Sequence, residues 1–222
     1  MANQNDSFID EVTDELRRDR LYGAFRRFGW IGGVVILAIV GGAAWREYSS
    51  SRDSASAQAF GDAVLAAENA GPAQIAELDP EGSAARAALI QLLASGAWRA
   101  EGDDEAAIAA LQEAATAAPE GDVLRDLAQL KRVIAAGNSM DASERDQILT
   151  RLSRAGAPFE LLALEQKAVA LVDAGRTEDA ITLIRQIQQK NGLSQALRNR
   201  LTEMMIALGA DPAPNDDMAS GS

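Results

Sequence analysis

From Phe28 to Trp45 the chain reads FGWIGGVVILAIVGGAAW, eighteen residues without a charge, bounded by Arg26-Arg27 and Arg46. No other stretch constrains the fold so strongly. A helix rises about 1.5 Å per residue, so this run spans about 27 Å, close to the hydrocarbon thickness of a bilayer. Trp30 lies near one end, and Trp45 and Tyr48 near the other, where amphipathic rings suit the headgroup boundary. A helix buried in a soluble core would taper into an amphipathic pattern or carry a polar stripe. This run does neither, so residues 28–45 are expected to form one transmembrane helix in a lipid bilayer.

Orientation follows from the basic residues. Arg17, Arg18, Arg20, Arg26 and Arg27 closely precede the run, against only Arg46 and Arg52 shortly after it. The positive-inside rule then leaves residues 1–27 in the cytoplasm as an N-terminal arm and exports residue 46 onward. A cleavable signal peptide is the competing reading, because Gly41-Gly42-Ala43-Ala44 places small residues near the exit. Against it stand 27 preceding residues with six acids and an apolar run longer than such signals use, so an uncleaved signal anchor is expected. In the arm, Ser7 and Asp10 have capping-box spacing, Phe8, Val12 and Leu16 recur at helical spacing, and Asp14 and Arg18 lie four apart. Either the arm docks on a partner or it only sets topology; both readings stay open.

Beyond the run, two segments share one pattern. In residues 161–192, Ala168, Leu171, Gly175 and Ala180 give A-x2-L-x3-G-x4-A, the core spacing of a tetratricopeptide repeat. In residues 88–119 the same frame holds Ser95, Trp98, Gly102 and Ala107, followed by Leu111, Ala114 and Pro119. Small side chains are needed where the two helices of a pair cross most tightly. Glycine ends the first helix in a left-handed conformation, Asp103 or Thr177 can cap the second, and Pro119 cannot continue it. The frames lie 73 residues apart, room for a middle repeat. Leu130, Val133, Gly137 and Ala142 keep its spacing, but Asp146 falls where an apolar residue belongs. A slipped turn over Gly137–Asp141 is therefore expected, then a helix with Ile148, Leu149 and Leu152 apolar, stopped by Gly156 and Pro158.

Residues 46–70 are expected to continue the membrane helix, residues 71–81 to form a loop, and Ser194–Leu208 to close the stack with Leu197, Leu201, Met204, Met205 and Leu208. The fold class expected is all-α: a single N-terminal transmembrane helix followed by a tetratricopeptide-like α-solenoid over residues 46–209, with a disordered tail at 210–222. A helical bundle without superhelical repeats is the alternative.

Chemistry is narrowly bounded. The chain contains neither Cys nor His, which removes thiolate and imidazole catalysis and most zinc sites. Carboxylate-only or lysine-based catalysis remains formally open, but no enzyme is expected. Asp103, Asp104 and Glu105 lack the spaced ligands and glycine of a calcium loop, and acids there favour a helix N-terminus. Ser95 has no histidine partner, and no glycine-rich phosphate loop occurs. Met204-Met205 reads as core or cap packing. No cofactor or metal is expected. Of the 21 basic and 33 acidic residues, 16 and 27 follow the apolar run, so the domain repels nucleic acid. What remains is the groove of a repeat stack, lined mainly by its first helices. In this register Leu92, Arg99, Glu165 and Val169 project towards it as partner-binding residues.

The order of these segments resembles a known family, the YfgM-like ancillary subunits of the SecYEG translocon. The likeness is carried by DELRRDRL (residues 14–21) before FRRFGW, the span, SASAQAFGDAV after it, the divergent repeats and LTEMM (residues 201–205); the arm is most similar to the alphaproteobacterial branch. The resemblance implies an inner-membrane protein with a periplasmic repeat domain. Its implied partners are the SecYEG translocon and a membrane-anchored periplasmic chaperone of the prolyl-isomerase class, in assisting exported proteins as they leave the channel. It implies no catalytic residues. Two other classes stay open: an anchored scaffold for another envelope process, such as cytochrome maturation or cell division, and a regulator acting through the cytoplasmic arm.

Overall fold

An alanine-rich chain with few aromatic and β-branched runs favours helices, and every regular element among the described residues is helical. The computed structural model describes residues 37–211. The chain divides into two units, one through Asp62 and one from Ala63. Helix α1 runs over residues 37–68. Of the expected membrane run, residues 28–36 lie outside the described residues, as do the arm at 1–27 and the tail from 212. Among the described residues no helix is long and apolar enough to cross a membrane.

The second unit continues with α2 (Pro72–Ala76), α3 (Ala84–Glu101), α4 (Asp104–Ala117), α5 (Val123–Ala136), a 3₁₀ turn (Gly137–Ser139), α6 (Ala142–Leu152), α7 (Glu160–Asp173), α8 (Thr177–Gln188) and α9 (Gln195–Ala207). The expected loop at 71–81 therefore contains a short helix. Pro72 pre-sets its first turn, and Pro72 and Ile75 are buried on its inner side, where Ile75 joins Ala67, Ala94 and Ala110 in one cluster. Helix α3 packs on α4, α4 on α5, α5 on α6, α6 on α7 and α7 on α8, while α3 also touches α5 and α5 touches α7. This is repeat-like packing: each helix pair lies on the next, with the first helices adjoining.

The pairs are built as the spacing requires. Ser95, Ala107, Ala114, Ala168 and Ala180 are all buried. Gly102 takes φ +84°, so Asp103 N–H reaches back to the Trp98 carbonyl at 3.0 Å. Gly175 takes φ +71°, and Arg176 N–H reaches the Leu171 carbonyl at 2.8 Å, the same closure in the same frame. Asp103 caps α4 by accepting from Ala106 N–H at 2.9 Å. Thr177 does not cap α8: it is the first helical residue, and Arg176 precedes it without a side-chain cap. Pro119 follows the end of α4, as expected.

The middle pair slips where Asp146 forces it to. Gly137 opens the 3₁₀ turn instead of leading straight into a helix. Asp141 then caps α6 by accepting from Glu144 N–H at 3.0 Å. Ala142 keeps the spacing but is exposed; Met140, Ile148, Leu149 and Leu152 fill the core in its place. At the end of the stack Leu197, Leu201 and Met205 are buried against α8, and Ser194 caps α9. Ala210, assigned to the tail by sequence, packs on this last cluster.

Enlarging a crossing residue should drive the pair apart. Ala168→Leu is expected to destabilise the domain by about 1–3 kcal/mol, read as a shift in urea midpoint, because a filled crossing has no room for extra methylenes. The same change at exposed Ala109 should leave the midpoint in place.

Candidate functional site

The succession α3, α5, α7 forms a row of first helices. Ser95, Leu130 and Ala168 are equivalent positions along it, which places Leu89, Leu124 and Leu162 at one level of the row. Arg99, Ile134 and Val172 share another level, and Gly96, Lys131 and Val169 a third. A soluble helix normally turns such positions to charged residues. Here Leu89 is 38% exposed, Leu162 38% and Ile134 47%, while Leu124, Leu127, Val169 and Val172 are half-buried. Open apolar side chains thus occur on all three helices, Leu89 and Leu162 at one level and Ile134 at another.

Two of the four expected residues keep accessible side chains there: Arg99 is exposed and Val169 half-buried. The other two are corrections. Leu92 is buried with Leu111, Ala114, Ala115 and Ala128, because the small Ala128 lets α5 close over it. Glu165 is also buried; its two carboxylate oxygens accept from Arg200 Nε at 2.6 Å and Nη2 at 2.8 Å. Helix α9 thus adjoins α7 through a bidentate ion pair. That pair holds the Arg200 guanidinium, already a strong base, still further towards its charged form. Sequence reasoning missed Leu89, Ile134 and Leu162, although carrying the frame through the middle repeat would have found Ile134.

Beside Leu162, a cleft of about 710 Å³ opens between the start of α7 and the α8–α9 turn. Glu160 bridges its sides, accepting from Lys190 Nζ at 2.8 Å and from Gly156 N–H at 2.8 Å. Both bonds favour the ionised carboxylate and hold Glu160 below the usual value of 4.5, the lysine bond most strongly. Ser95 is buried and donates to the Leu92 carbonyl at 2.7 Å, so its hydroxyl is used in packing. Met205 is fully buried and Met204 half-buried against the last cluster. Among the described residues no group of acidic side chains could hold a metal ion.

No family model, curated protein or solved structure matches this chain. The geometry of the helix row therefore carries the functional reading.

Two outcomes follow from the ion pairs. Arg200→Met leaves the Glu165 carboxylate buried and unpaired, and is expected to cost about 1–3 kcal/mol in urea unfolding. Adding Glu165→Met should recover part of that loss, because the stranded charge is gone. Glu160 has its folded pKa depressed, so its contribution is complete above about pH 4.5 and lost as pH falls through the lower folded value. Melting temperature followed downward from pH 6 should fall less steeply below pH 4.5 in Glu160→Gln than in the parent chain.

Proposed function

We propose that this chain is an inner-membrane-anchored adaptor whose tetratricopeptide-like domain, residues 46–209, binds protein partners in the periplasm beside the SecYEG translocon. In this reading residues 28–45 form the anchor, with residues 1–27 cytoplasmic. The domain hands emerging proteins to a membrane-anchored chaperone of the prolyl-isomerase class. A single anchor keeps the domain near the channel exit and raises its effective concentration there without new contacts.

The observation that carries the binding role is the set of apolar side chains left open along the first helices, Leu89, Ile134 and Leu162. The tetratricopeptide assignment rests on the frame shared by residues 95–107 and 168–180, with its matching glycine closures at Gly102 and Gly175. The anchor assignment rests on the uncharged run itself, and is supported by the open apolar side chains of Leu37, Ile39, Val40 and Trp45. The choice of translocon and chaperone as partners rests on the family resemblance.

A photo-reactive amino acid at Ile134 tests the reading in living cells. Expected are crosslinks to translocon subunits, to a periplasmic chaperone or to exported proteins, with none from the same probe at exposed Gln112 on a second helix. Equal capture from both positions, or recovery of none of these partners, would contradict it.

A further inference from the structure

The described residues include four asparagines, and what surrounds them differs. An asparagine amide is labile where the next backbone nitrogen can attack it, so the bonds that hold both groups decide its lifetime. Asn69 Nδ2 donates to the Leu65 carbonyl at 2.9 Å, and the nitrogen after it, of Ala70, donates to the Ala67 carbonyl at 2.9 Å. Asn138 Oδ1 accepts from Arg145 Nη1 at 3.0 Å. Asn199 Oδ1 accepts from Gln195 Nε2 at 2.9 Å, and Arg200 after it lies within α9.

Asn191 has none of these restraints. It stands in the turn between α8 and α9, and both it and Gly192 are exposed. Among the described residues neither the Asn191 amide nor the Gly192 N–H has a hydrogen-bond partner. A side chain on the following residue would shield the attacking nitrogen, and Gly192 has none. The space where its Cβ would stand is open, and its φ of +83° is one that glycine adopts freely.

We propose that Asn191-Gly192 is a self-modification site. The Gly192 nitrogen gives its proton to solvent and attacks Asn191 Cγ. The new N–Cγ bond closes a succinimide ring, the Cγ–Nδ2 bond breaks, and the amide takes a proton from solvent and leaves as ammonia. Water then opens the ring. Attack at Cγ leaves an aspartate at position 191, and attack at the main-chain carbonyl leaves an isoaspartate. The balance is one water in and one ammonia out, with no oxidant or reductant.

The isoaspartate product routes the chain through the former side chain and adds one atom to the backbone. That atom enters just before Leu193, which is buried in the last core cluster, and Ser194, which caps α9 by accepting from Leu197 N–H at 3.2 Å. Either product also adds a carboxylate next to Lys190, whose Nζ bonds to Glu160 beside the same turn. Modification therefore loosens α9 at the end of the stack. The adaptor reading is not used in this inference.

Ageing the full chain at neutral pH, then mapping it with trypsin in mild acid, tests the inference. Peptide 191–198 is expected to gain one mass unit and to split into two chromatographic forms. Peptides 53–86 and 133–145, which carry Asn69 and Asn138, should stay unchanged. The aged chain should melt about 2–4 °C lower than fresh chain, and aged Asn191→Gln should not. An intact peptide 191–198 after its free synthetic copy has converted, or equal conversion at Asn69 or Asn138, would overturn the inference. Full conversion without a drop in melting temperature would overturn the loosening of α9.

Discussion

The structure depends on helices crossing closely over small side chains. Ser95, Ala107, Ala114, Ala168 and Ala180 are buried in the two outer pairs, where the first helix meets its second. Close approach maximises dispersion contacts between backbones, and it leaves a serine tolerable only because its hydroxyl is bonded within its own helix. Alanine gives little transfer free energy by itself. It lets the larger side chains around each crossing reach one another.

Those larger side chains gather at the seams between pairs. Leu92, Leu111 and Ala128 join α3, α4 and α5. Leu130, Val133, Ile148, Leu149, Leu152 and Ala163 join α5, α6 and α7, and Ile184, Ile187, Leu197, Leu201 and Met205 join α8 to α9. Each pair buries its open side only against the next, which gives repeat packing its one-dimensional cooperativity. Helix α9 ends the series with apolar residues inward and Arg200 locked on Glu165.

The local part of this was legible in the sequence. Gly102, Asp103, Gly175 and Pro119 act within a few residues of themselves, so spacing alone placed both outer turns and the end of α4. Asp146 out of frame announced the slip of the middle pair. Contacts made at a distance were not legible. Leu92 is covered by Ala128 of a neighbouring helix, and Glu165 is neutralised by an arginine 35 positions away. Both looked like groove residues because register tells which way a side chain points and not what lies over it. The short helix at Pro72–Ala76 was hidden by Gly71-Pro72, which reads as a breaker although proline also begins helices.

With tight pairs fixed by small residues and seams filled by large ones, the apolar side chains left open on α3, α5 and α7 have no internal partner to explain them. The proposed docking surface requires that the three helices share one face. The chain has no native cysteine, so spin labels can be placed on Leu89→Cys and Leu162→Cys without background. Neighbouring helices pack about 8–10 Å apart, so two steps along the row predict one narrow distance population near about 20 Å by pulsed electron resonance. A broad distribution, or a single one centred beyond about 40 Å, would mean that α3 and α7 do not belong to one row.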